Sequence, residues 1–97
     1  MKRAEAISIL KEHEDEFHQL GVVNLYLFGS TVRDDAGENS DVDLFFDYER
    51  GQFGLFELMD LKERAADILK HKVDIMTRDS IHKTLRRQIE ASALQVF

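Results

Sequence analysis

The run DVDLFF at residues 41–46 places two carboxylates one residue apart in an apolar stretch. Side chains of an extended strand alternate faces. Asp41 and Asp43 therefore point the same way, about 7 Å apart at ~3.3 Å per residue, while Val42 and Leu44 point the other. Two like charges held together are costly unless a cation bridges them. Mg²⁺ suits such a site, because it takes hard oxygen ligands and keeps positions open for water and phosphate oxygens. Asp74 repeats the theme as a lone acid between Val73 and Ile75. If the strands carrying these acids pair, Asp74 joins the cluster, and three carboxylates could hold two metals.

Gly29-Ser30 ends the preceding apolar run, VVNLYLF at 22–28. A glycine there lets a phosphate approach the backbone, and the serine hydroxyl with nearby N–H groups can donate to its oxygens, above all if a helical turn begins at that point. Taken singly, each feature has a plainer meaning. Asp41 and Asp43 could guard a strand end against edge pairing, Gly29-Ser30 could be a simple exit from a strand, and Asp74 could pair locally. Their register along one chain favours a phosphoryl-transfer site. Asp47 faces the Asp43 side but lies about 13 Å further along, so it reads as structural or exposed. His13, His18, His71 and His82 lack metal-ligand spacing and read as solvated, as does the basic stretch Lys83, Arg86 and Arg87.

The elements that must position these residues follow from periodicity and glycine punctuation, since the chain has no proline. Ile7, Leu10, Phe17 and Leu20 predict one amphipathic helix over 4–20, stopped by Gly21. Residues 22–28 predict a central strand buried on both faces, 29–40 a polar loop with one helical turn, and 41–48 a second strand. Leu55, Leu58, Met59, Ala65, Ile68 and Leu69 predict the buried side of a helix reaching Lys70. Residues 73–76 predict a short third strand. Asp79 or Ser80 could cap a last helix buried through Ile81, Leu85 and Ile89. LQVF at 94–97 could add an edge strand. Phe45, Phe46, Phe53 and Phe56 read as core or as a partner-facing patch. The order α-β-β-α-β-α(-β) predicts the α/β (α+β) class: a small mixed sheet flanked by helices, in one domain over 1–97.

Composition narrows the function. Of 97 residues 43% are hydrophobic, enough for a core. There is no cysteine, so a metal must be held by oxygen or histidine. No apolar run nears the roughly 20 residues of a membrane span, and the acidic start is unlike a signal peptide, so a soluble, cytoplasmic protein is expected. The net charge of −6 is uneven, with five Lys/Arg against twelve Asp/Glu in residues 1–50. That balance fits a cation site or a solvated acidic face better than a nucleic-acid surface.

The run LFGSTVRDDAGENSDVDLFF, followed by the separate VDI, closely resembles the nucleotidyltransferase superfamily with the polymerase β-like fold. Gly-Ser, ten residues, Asp-x-Asp and a third Asp on a later strand are its signature. The short chain resembles the minimal nucleotidyltransferases, which are often encoded as antitoxins beside a HEPN-domain partner. The resemblance implies that Gly29 and Ser30 bind the triphosphate, and that Asp41 and Asp43 hold the bridging metal. It implies that Asp74 completes a second metal site and helps activate the acceptor hydroxyl, with Arg33 matching a basic residue that contacts phosphates. Mg²⁺, with Mn²⁺ as substitute, and ATP are the implied cofactor and substrate. One departure stands out: many members have glycine where Asp34 follows Arg33, and the charges of Asp34 and Asp35 would oppose a triphosphate. The expected activity is transfer of AMP from ATP to a hydroxyl of a HEPN-type toxin, with homo- or hetero-oligomers as expected assemblies. A binding-only antitoxin is the alternative, and transfer to a small molecule or RNA a further one.

Overall fold

The computed structural model describes residues 1–34, 37, 40–49, 51 and 53–97. The N-terminal helical region is two helices, α1 (Arg3–Glu12) and α2 (Glu14–Gln19), broken at His13, whose backbone leaves helical values at φ −106° and ψ 18°. A single helix over 4–20 would carry its apolar stripe past the sheet. The break turns the chain so that Ala6 and Leu10 of α1 and Phe17 of α2 are all buried. Gly21, at φ +101°, then reverses the chain into β1 (Val22–Phe28).

Three more strands complete the sheet: β2 (Val42–Tyr48), β3 (Val73–Thr77) and the two-residue β4 (Leu94–Gln95). Their order is β3-β2-β1-β4, with β1 antiparallel to both β2 and β4 and β2 parallel to β3. The mixed sheet and the C-terminal edge strand agree with expectation. The parallel pair needs a crossover, supplied by α3 (Leu55–Leu69), whose first turn is closed by the Gly54 N–H donating to Glu57 Oε2 at 3.0 Å.

One face of the sheet packs Val22, Leu25, Leu27, Val42, Leu44, Phe46, Val73 and Ile75 against α1, α2 and α3. β1 is therefore not buried on both faces. After a bulge between Val22 and Asn24, Asn24, Tyr26 and Phe28 line the opposite, half-open face. α3 buries most of the expected stripe, Ala65 and Leu69 fully and Leu58 and Ile68 in part, but gains Leu61 and loses its start. Leu61, Ala65 and Leu69, spaced by four, are buried, whereas Leu55 and Met59 are 70% and 58% exposed and Phe56 is 80% exposed. The first turn of α3 overhangs the core. The last helix, α4 (Lys83–Ser92), follows a short turn at Arg78–Ser80 and is capped by His82, whose side chain accepts from the Thr84 N–H, rather than by Asp79 or Ser80. It buries no residue completely, and Leu85 is 51% exposed. Arg86 is half-buried and donates to the carbonyls of Asp79 and Ile81, so it is tied down rather than solvated.

Candidate functional site

The open face of the sheet gathers the acids. Asp43 of β2 pairs in register with Asp74 of β3 on one side and with Phe28 of β1 on the other. Asp41 lies one residue before β2 and is exposed, Asp43 is half-buried and Asp74 is exposed. Burial pushes the Asp43 carboxyl above the ordinary carboxylate range. The neighbouring charges of Asp74 and Asp41 push it the same way, and Arg33 draws it back. Asp43 thus feels both neighbouring carboxylates, and Arg33 is electrostatically part of the same group. Among the described residues no three acidic, histidine or cysteine side chains stand converged as a ready-made metal cage. A cation would gather Asp41 and Asp74, both exposed, towards Asp43. The donor set of hard oxygens and the mutual repulsion fit a divalent ion.

Gly29 is positioned by a requirement that only glycine meets. Its φ is +80°, and a Cβ there would run into the Asp43 carboxylate itself. The chain then makes the expected single turn at Gly29–Thr31, fixed by the Val32 N–H donating to the Gly29 carbonyl at 3.2 Å and by Thr31, which is 1% exposed. The loop end is fastened from elsewhere. Asp34 Oδ1 accepts from the Arg3 backbone N–H at 2.7 Å, capping the first helical residue of α1, and Arg3 Nη1 donates to the Val32 carbonyl at 3.0 Å. Asp34 itself stands at φ +56°. Asp34 is therefore engaged with α1, and the Arg3 guanidinium 3.8 Å away offsets part of its charge. Asp35 lies outside the described residues.

Further along the same face, Arg78 holds what the acids do not. It donates to both carboxylate oxygens of Asp47, at 2.8 and 3.1 Å, and to Glu90 of α4 at 2.7 Å. Its guanidinium lies 4.7 Å from the centre of the Tyr26 ring and 5.1 Å from that of Phe45, and these two rings stack at 4.7 Å. Asp47 is thus structural, as expected. Arg78 gave no signal in the sequence, because its partners lie 31 residues before it and 12 after it. The histidines are likewise bonded rather than merely solvated: His13, His18 and His71 each bond a backbone carbonyl, and His18 also bonds Glu14. On the α3 side, a groove of about 550 Å³ opens between Asp41, Lys72 and Val73 and the α3 residues Met59, Lys62 and Ala66. The acidic end of the sheet thus adjoins open volume sufficient for a small ligand.

Residues 10–96 match the family model described as the nucleotidyltransferase domain. The chain belongs to this family, and the mixed sheet bearing Asp43 and Asp74 is its fold. More narrowly, it is a protein of the minimal nucleotidyltransferase type. Protein adenylyltransferase MntA of Thermococcus cleftensis is 36% identical over 87 residues, covering 84% of this chain and 87% of the relative. "Putative protein adenylyltransferase MJ0126" of Methanocaldococcus jannaschii is 32% identical over 95 residues, covering 96% of each. A solved structure described as a "putative minimal nucleotidyltransferase" superposes with a TM-score of 0.76 at 30% identity, covering 97% of this chain and 95% of the other. A more distant likeness in fold, at 20% identity and a TM-score of 0.60, covers 88% of this chain and 69% of the other. It belongs to the structure of a tri-AMPylated Shewanella oneidensis HEPN toxin in complex with its MNT antitoxin.

Proposed function

We propose that this chain transfers AMP from ATP to a hydroxyl of a partner protein, and that the partner is a HEPN-type toxin which it thereby neutralises. The observation that carries the reading is the register of Asp43 with Asp74, beside Asp41 and against a glycine whose missing side chain leaves room for the Asp43 carboxylate. The description of the relatives as protein adenylyltransferases supports AMP and a protein acceptor. The AMP-bearing Shewanella toxin in its complex supports the kind of partner.

Asp41, Asp43 and Asp74 would hold Mg²⁺, with Mn²⁺ able to substitute, and the bound metal supplies positive charge against the phosphates. Gly29 and Ser30 present backbone and hydroxyl donors to the triphosphate, and Arg33 adds a cation close to Asp43. The acceptor oxygen attacks the α-phosphorus, forming a new O–P bond as the bond to the bridging oxygen breaks and pyrophosphate leaves. The hydroxyl proton passes to the Asp74 carboxylate and from there to water. Incubation with α-labelled ATP, Mg²⁺ and the product of the neighbouring gene tests the proposal. Label on that protein is expected. An unlabelled partner in the presence of saturating Mg²⁺ and ATP would overturn it.

A further inference from the structure

Arg33 is bracketed by two residues that one side chain and one backbone amide hold in place. On its N-terminal side, the Val32 carbonyl accepts from the Arg3 guanidinium at 3.0 Å. On its C-terminal side, the Asp34 carboxylate accepts from the Arg3 N–H at 2.7 Å. Both links span about thirty residues of chain, 29 and 31, and both end on the first residue of α1. Asp34 stands in the left-handed region at φ +56°, which aspartate visits less readily than glycine. The Asp34 N–H also donates to the Thr31 carbonyl at 3.2 Å, which continues the turn begun at Gly29. With the residues on both sides fixed, the backbone direction at Arg33 is set by the start of α1. A second line agrees: the turn that leads to Arg33 starts at Gly29, which abuts the Asp43 carboxylate.

We infer that Arg3 and Asp34 form a clamp that orients Arg33 towards the phosphate-binding side of the acidic cluster. They act as positioning residues for the nucleotide rather than as ligands of it. The inference rests on the nucleotide reading of the site given above. It also explains the departure at Asp34. Glycine would adopt φ +56° freely, whereas aspartate reaches it by giving its carboxylate to α1, which exchanges freedom of the loop for fixation.

The two arms of the clamp separate by mutation. Arg3→Ala removes the link to Val32 and the guanidinium contact with Asp34 but keeps the backbone donor to Asp34, whereas Asp34→Gly removes that acceptor and keeps the link to Val32. Hydrogen–deuterium exchange of the Val32–Asp34 amides should quicken in either variant without nucleotide present, and unchanged exchange would overturn the clamp. Titration with a non-hydrolysable ATP analogue and Mg²⁺ should then show Arg3→Ala binding about fivefold more weakly, the scale of losing one ordering hydrogen bond, with Arg3→Lys recovering part of the loss. The decisive comparison is with Arg33→Ala. If Arg3 works through Arg33, adding Arg3→Ala to Arg33→Ala changes affinity no further, whereas additive losses would overturn the inference. Binding by the unaltered chain that Arg3→Ala leaves intact would overturn the clamp alone. No binding by the unaltered chain would instead refute the nucleotide reading, with the exchange result still deciding whether the loop is held.

Discussion

At the scale of single residues, Asp43 has the clearest energetic consequence. Its folded pKa is raised above the ordinary 3.8 by burial and by two acidic neighbours. Between those two values the folded chain binds more protons than the unfolded one, so the stability due to this group falls as pH rises through that window. Above it, the metal-free protein bears the cost of the charged carboxylate. Asp43→Asn should therefore raise the melting temperature at pH 7 without metal, and the gain should shrink as the pH falls below the window. Mg²⁺ should stabilise the unaltered chain more than the variant. Calorimetry at both pH values, with and without Mg²⁺, checks all three signs. Gly29 makes the complementary case. Alanine at φ +80° costs about 1–2 kcal/mol of backbone strain. Its Cβ also displaces the Asp43 carboxylate, so Gly29→Ala should lose both stability in urea titration and nearly all AMP transfer. Neither consequence is visible in Gly29-Ser30 as letters, because the clash partner lies 14 positions downstream on the paired strand.

At the scale of elements, much of what positions the site was legible, and the limit is instructive. Alternation in DVDLFF places Val42 and Leu44 in the core and Asp43 on the other face, and the short VDIM run pairs beside it so that Asp74 meets Asp43. These are properties of one strand at a time. What failed depends on which neighbour exists. The expected stripe of α3 holds at Leu58, Ala65, Ile68 and Leu69, and only the position of the sheet decides that Leu61 joins it while Leu55 and Met59 stay outside. The break at His13 and the role of Arg78 likewise depend on distant partners. Arg78 joins the end of β3, Asp47 of β2 and Glu90 of α4 while covering two aromatic rings. Few other described bonds fasten α4 to the sheet, and α4 buries no residue fully. Arg78→Met keeps most of the stem packing but leaves Asp47 and Glu90 without their cation, so a loss of about 2 kcal/mol is expected, below the full range for buried pairs because all three groups are partly exposed. Denaturant unfolding, with exchange rates of α4 amides as the local readout, measures it.

At the scale of the whole molecule, the acids stand at an open end of the sheet, and Asp41 and Asp74 are exposed. On the function proposed above, the acceptor hydroxyl arrives from another molecule. Two ways of neutralising a partner are compatible with such a surface: transferring AMP to it, or holding it by contact. They respond oppositely to removal of charge from the acidic cluster. Asp41→Asn with Asp43→Asn relieves repulsion at the site and leaves the core residues Val42 and Leu44 untouched, so the double variant should fold at least as stably as the parent in metal-free buffer. It should lose transfer by about 10³-fold or more, since the phosphates would lack the charge that holds and polarises them. If AMP transfer is the means of neutralisation, cells producing the toxin together with this variant will not grow. If contact suffices, they will grow although the toxin remains unlabelled. Growth assays paired with mass measurement of the toxin therefore decide between the two, because the variant separates chemistry from a fold that stays intact.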